Sequence, residues 1–121
     1  MQLSPSSVAV LVSNKKRAIR WYREKLGLKV FHHAGHRITV GSRRTGMQLH
    51  LCDPKDWMER PKLEPGNSGI LFRVDGDIER AYRTLKRRGV RFSQPPTKEE
   101  WGWNCRFVDR DGNEFALMPN D

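Results

Sequence analysis

The sequence predicts an α+β fold built from two tandem βαβββ modules, and two observations carry that prediction. The first is a duplication: Ser7 to Phe31 (SVAVLVSNKKRAIRWYREKLGLKVF) and Gly69 to Phe92 (GILFRVDGDIERAYRTLKRRGVRF) follow one plan. Each opens with a strand-like run, passes polar residues, enters an amphipathic helix with Arg-Ala near its start, and ends at a glycine before a second strand. The second is that the correspondence continues downstream at one constant offset. Arg37 to Val40 (RITV) falls on Cys105 to Val108 (CRFV), and Met47-Gln48-Leu49 falls on Phe115-Ala116-Leu117. A repeat of this length is a duplicated unit and not a short-period solenoid, and two copies most simply pair their sheets around a shared cleft. The expected limits are 6–52 for the first module, 53–68 for a linker and 69–119 for the second. Together they make one domain of 121 residues, because neither module alone buries a sufficient core.

In the first strand Val8, Val10 and Val12 alternate with Ser7, Ala9 and Leu11, giving one strongly apolar face. Ser13 or Asn14 can cap the helix that follows. Its buried stripe is Ala18, Ile19, Tyr22 and Leu26, with Trp21 at the edge, and Gly27 supplies a positive-φ stop. Lys29 to His33, Arg37 to Ser42 and Met47 to Cys52 read as three further strands, with turns at Ala34-Gly35 and Arg43 to Gly46. In the last of them Met47, Leu49 and Leu51 share one face and Gln48, His50 and Cys52 the other, a polar row expected to face the cleft. The text from Asp53 to Ser68 (DPKDWMERPKLEPGNS) is too irregular for an element, and Trp57 within it reads as an anchor or a subunit contact.

The second module places Ile70, Phe72 and Val74 toward its helix and Gly69, Leu71 and Arg73 away from it. Ile78, Ala81, Tyr82 and Leu85 form the helical stripe, which stops at Gly89. Gln94 to Glu100, with Pro95-Pro96, is an insertion relative to the first module and is expected to form a loop. Trp101-Gly102-Trp103 then leads into strand Asn104 to Val108, a tight turn at Asp109 to Asn113 and a closing strand Glu114 to Met118.

The formal net charge is +9 and the isoelectric point about 10.2, so the surface field favours anionic partners. Many of the cations fall on outer helix faces, and no aromatic-basic motif or zinc pattern accompanies them. A solvated basic surface is therefore preferred to a nucleic-acid interface, which the charge alone does not exclude. Cys52 and Cys105 have neither metal-ligand nor redox spacing. The start Met-Gln-Leu-Ser-Pro-Ser-Ser lacks a basic region before an apolar run, and no apolar stretch of ~20 residues occurs. A cytoplasmic protein without membrane contact is expected.

With both modules placed, the sequence resembles the vicinal oxygen chelate superfamily of glyoxalase I, extradiol dioxygenases, fosfomycin-modifying thiol transferases and bleomycin-resistance binding proteins. The residues carrying the resemblance are Arg17-Ala18 to Trp21-Tyr22 before Leu26-Gly27-Leu28, Leu85 to Gly89-Val90, Trp101-Gly102, and Phe107 to Asn113 (FVDRDGN) against F-x-DPDGN. Arg110 replaces the usual Pro of that turn and removes some rigidity. The resemblance implies a half-open eight-stranded barrel of the glyoxalase/bleomycin resistance/dihydroxybiphenyl dioxygenase type. It also implies a homodimer, and, in the enzymes, a divalent metal held by the first and fourth strands of each module.

Carried over position by position, those ligand sites are Ser7, Gln48, Gly69 and Ala116. Only Gln48 could serve, whereas such a site needs about three imidazole or carboxylate ligands. No metal and no other cofactor is therefore expected. His32, His33 and His36 do not converge, because strand neighbours point to opposite faces. His50 lies on the face of Gln48 and is either a hydrated sheet histidine or a contact to a bound molecule. Trp101 and Trp103 fall on one side if the stretch is extended, and each either touches the bound molecule or caps the core. Arg73 and Arg106 face the cleft or its rim, where each either forms a salt bridge or receives an anion. The expected function is metal-free binding of a small aromatic or anionic molecule through Ser7, Gln48, His50, Arg73, Trp101, Trp103 and Arg106, of a sequestering or resistance type. The alternative is a glyoxalase- or dioxygenase-like enzyme with a non-standard metal or acid-base site.

Overall fold

The computed structural model describes residues 1–2, 6–35, 37–53 and 67–120. It divides into two compact units, Met1–Pro65 and Gly66–Asp121. Linker residues 54–66, with Trp57, and His36 lie outside the described residues.

The first unit runs β1 (Ser7–Leu11), α1 (Lys15–Leu26), β2 (Lys29–Ala34), β3 (Arg37–Gly41) and β4 (Gln48–Cys52). Its sheet has the order β1-β4-β3-β2, with β1 parallel to β4 and the other pairs antiparallel. Asn14 is the helix N-cap, its side-chain oxygen accepting from Arg17 N at 3.0 Å. Gly27, at φ 70°, closes the other end, where its own N–H reaches Arg23 O and the N–H of Leu28 reaches Tyr22 O. One sheet face carries Val10, Ile38, Val40, Leu49 and Leu51, all buried, and α1 covers it with Ala18, Ile19, Trp21 and Tyr22. Trp21 is buried against Tyr22, centroids 4.9 Å apart in an edge arrangement, and does not sit at the margin that helical spacing alone suggested. Met47 is more than half exposed, because it precedes β4 and the pleat alternation does not yet apply to it.

The second unit repeats the order as β5 (Asn67–Val74), α2 (Ile78–Arg87), β6 (Arg91–Glu99), β7 (Gly102–Val108) and β8 (Glu114–Pro119). Its sheet has the order β5-β8-β7-β6, again with the first pair parallel. The two modules of the duplication thus have the same strand order, and the α+β class follows from the sequence as read. Asp77 caps α2 through Glu79 N at 2.9 Å, and Gly89, at φ 89°, follows its end. The core differs in kind from that of the first unit. Phe72, Phe107 and Phe115 form a triangle with centroids 5.4 to 5.7 Å apart, and Phe92 joins it from β6.

The loop expected at Gln94 to Glu100 is instead mostly strand, since β6 continues to Glu99. The register shifts between Phe92 and Gln94 and again between Gln94 and Thr97, so Pro95 and Pro96 fall in a bulge. Because β6 is the sheet edge, their missing N–H groups break no ladder bond. Buried Asn104 fastens the bulge, accepting from Gln94 Nε2 at 3.1 Å and donating to Thr97 O. The Asp109 to Asn113 turn is tied through Asp109, whose carboxylate accepts from the N–H groups of Asp111 and Asn113 and from Asn113 Nδ2. Gly112, at φ 87°, takes the backbone conformation that its place in this turn requires. Among the described residues no helix is long and apolar enough to cross a membrane.

Candidate functional site

The face of the first sheet opposite α1 is polar, and register makes it continuous. Ser7 pairs with Gln48 across β1 and β4, while Ala9, His50, Thr39 and His32 form one row across all four strands. These residues alternate with the core positions Val10, Ile38, Val40, Leu49 and Leu51, so the pleat that builds the core also builds the site. A cavity of about 360 Å³ lies on this face. Its walls are Ser6, Ser7, His32, Arg37, Thr39, Arg44, Gln48 and His50.

Three fixed contacts organise the cavity. Gln48, buried, donates from Nε2 to Arg44 O at 2.8 Å, which holds the turn between β3 and β4 against the sheet. The Arg44 guanidinium lies over the Phe31 ring, 5.5 Å from its centroid. His32 Nδ1 and Thr39 Oγ1 are 2.8 Å apart, which sets the plane of that imidazole. Among the described residues the lining holds two arginines, two histidines and no carboxylate, so its potential favours an anion. Among the described residues neither Arg37 nor Arg44 has a carboxylate partner.

A family model described as the Glyoxalase/Bleomycin resistance protein/Dioxygenase superfamily matches residues 5–117. The chain belongs to this superfamily. Its fold is similar to that of a superfamily member from Sphaerobacter thermophilus DSM 20745, at 30% identity and a TM-score of 0.85 over 98% of each chain. It is also similar to TnmS3, an antibiotic binding protein from Streptomyces sp. CB03234, at 27% identity and a TM-score of 0.80 over 100% of this chain and 99% of that one. A lactoylglutathione lyase from Agrobacterium tumefaciens shares the fold at 15% identity and a TM-score of 0.78, covering 97% of this chain and 93% of that one. No curated protein matches the chain.

The superfamily's enzymes imply a divalent metal, and the residues at the corresponding positions do not fit one. Ser7 offers a neutral hydroxyl, and Gln48 a carboxamide already engaged with the Arg44 carbonyl. Gly69 stands at φ 70° within the irregular start of the β5–β8 pairing, and Ala116 pairs with Leu71 and Arg106; neither has a side-chain donor. Among the described residues no group of three or more His, Cys, Asp or Glu is placed to hold a metal ion. No reaction step is derived through a metal.

Of the residues singled out from sequence, the structure brings Ser7, Gln48 and His50 into one cavity. The others belong to the second unit. Arg106 Nη1 lies 3.2 Å from Glu114 Oε1, and Ser93 Oγ donates to the other carboxylate oxygen at 2.7 Å. The Ser93 hydroxyl, with Arg106 beside it, holds the Glu114 carboxyl below its ordinary pKa. Of the two fates foreseen for Arg106, this is the salt bridge. Arg73 donates from Nη1 to Pro119 O at 3.0 Å. Trp101 and Trp103 are 62% and 45% exposed, so neither caps a core. Gly102 between them opens β7 with φ 134°, a backbone conformation that favours glycine.

Arg37, Thr39 and His32 are cavity residues that the sequence reading missed. The alternation in RITV was the available signal, because Ile38 and Val40 facing the helix send Arg37 and Thr39 to the face of Gln48 and His50. His32 was set aside with its neighbours as a failed metal group, although one of two adjacent strand histidines must face the polar side. Arg44 sits in a turn, where no periodicity announces direction.

Proposed function

We propose that the chain is a metal-free superfamily member that binds a small aromatic or anionic molecule for sequestration or resistance. The observation that supports this most is the substitution of a hydroxyl, an engaged carboxamide, a hydrogen and a methyl group at the four inherited metal positions, beside a formed polar cavity. Ser7, Gln48 and His50, which line the first unit's cavity, are the contacts assigned to it. The similarity to an antibiotic binding protein supports the sequestering role. Acid-base catalysis is less well served, since among the described residues no carboxylate lines the cavity. The protein is further read as a cytoplasmic homodimer, which light scattering checks for the assembly.

Melting temperature measured against a panel of anionic and aromatic compounds tests the binding role. A ligand at 100 times its Kd contributes about 2.7 kcal/mol, which raises Tm by roughly 10 °C for a chain of this size. No shift across the panel, or stoichiometric Ni, Zn, Mn or Fe in the purified protein, would sink the proposal.

A further inference from the structure

We infer that the group recognised in the first unit's cavity is a compact oxyanion dianion, a terminal phosphate or phosphonate, and that Arg37 and Arg44 determine this specificity. The inference rests on the binding role proposed above and narrows its ligand to one chemical class.

The lining decides against a flat aromatic guest. Ligand pockets are lined predominantly by apolar and aromatic side chains with a few polar groups, and here, among the described residues, the lining holds no apolar side chain. The volume of about 360 Å³ is near the lower end of the ~300–1,000 Å³ that such pockets span, so the guest is small as well as polar. Two arginines with no carboxylate among the described lining residues set the sign of the guest's charge as negative.

The two arginines decide between kinds of anion. Arg37 opens β3 and Arg44 follows its end, so two arginines from opposite ends of the same strand line one cavity. A carboxylate has two oxygens, and one bidentate guanidinium uses both. A phosphate or phosphonate presents three terminal oxygens and a second negative charge, and so accepts from two guanidiniums at once. Arg44 is prepared for this role. Its carbonyl is held by Gln48, and stacking on Phe31 occupies the face of the guanidinium while leaving its in-plane N–H groups to bond an oxyanion. The imidazole of His32, held by Thr39, adds a further polar group to the same wall.

Calorimetric titration of the full chain with glycerol 3-phosphate, methylphosphonate and lactate at one ionic strength tests the assignment. Amide chemical shifts of Thr39 and His50 report the location of binding. The phosphate and phosphonate compounds are expected to bind at least about tenfold more tightly than lactate. Arg37→Gln and Arg44→Gln, both at exposed positions, should each weaken that binding about tenfold, a charge-assisted hydrogen bond's worth. Arg43→Gln removes the same charge from the same turn outside the cavity lining, and should change affinity by less than about twofold. Equal affinity for lactate, or an equal loss in Arg43→Gln, overturns the inference. If lactate or an uncharged aromatic compound moves the Thr39 and His50 resonances while the phosphorus compounds do not, the dianion assignment fails and the binding role stands. If no compound moves them, both fail.

Discussion

The two sheets share topology and differ in what they do with the face turned away from the helix. On the first, Arg37 and Arg44 line a cavity that has no carboxylate among its described residues. On the second, Arg106 is closed off by Glu114, itself fixed by Ser93, and Arg73 bonds a backbone carbonyl of β8. A duplicated unit thus keeps its register while the first copy's Arg37 and Arg44 have no carboxylate partner among the described residues and the second copy's Arg106 and Arg73 are bonded locally. Charge placement on a shared scaffold, and not the scaffold, distinguishes the two faces.

The cores diverge in the same way. The first unit packs aliphatic strand residues under Trp21 and Tyr22 of α1, whereas the second packs phenylalanines contributed by β5, β6, β7 and β8. The largest effect expected from any single change is therefore in the second unit. Phe107 touches Phe72, Phe92 and Phe115 and is fully buried. Phe107→Ala should lose about 3–5 kcal/mol by urea unfolding. Ile38→Val in the first unit should lose only about 0.5–1.5 kcal/mol. A loss below about 2 kcal/mol in Phe107→Ala would mean that the aromatic cluster is loosely packed.

Each unit also buries one cysteine, Cys52 in β4 and Cys105 in β7. Burial, with the negative charge of Glu79 adding to it, pushes the Cys105 thiol up to about 11 from 9.0. The raised value means that the folded state keeps its proton while the unfolded chain loses it, so stability should fall as pH rises from 9 toward 11. Cys105→Ser should flatten that decline. In native protein near pH 8, iodoacetamide should leave Cys105 unmodified over hours and label it promptly in urea. Labelling at the same rate in both states would show the site to be open.

The fold was legible because its signals are local and repeated. Hydrophobic alternation, Asn14 and Asp77 as caps and Gly27 and Gly89 as stops recur in both halves and agree with each other. The site was legible only where it inherits that alternation. Gln48 and His50 share a face by spacing alone, and Arg37 and Thr39 could have been found by the same rule. What was hidden depends on irregularity. The β6 bulge turns an expected Pro-Pro loop into an edge strand, and Arg44 lines the cavity from a turn. Whether Arg106 meets an acid or an anion depends on the cross-strand placement of Glu114, which no spacing within one strand reveals.

The smallest effect expected bears most directly on the contrast between the two faces. Arg106 and Glu114 are partly exposed, and pairs of this kind contribute about 0–1 kcal/mol, so Glu114→Gln should barely move the urea midpoint at neutral pH. The pH dependence carries the sign. The Glu114 carboxyl is held below its ordinary value by Ser93 first and Arg106 after it. A depressed carboxyl gives stability that is present above its unfolded value near 4.5 and is lost as pH falls through the lower folded value. The difference between wild type and Glu114→Gln should therefore shrink as pH drops below 4.5. The same substitution removes the counter-charge from Arg106, and should let the second sheet acquire weak, salt-sensitive affinity for methylphosphonate that the wild-type second unit lacks. If Glu114→Gln gains no such affinity, neutralisation is not what separates the two faces, and the shape of the first sheet's cavity must carry the difference instead.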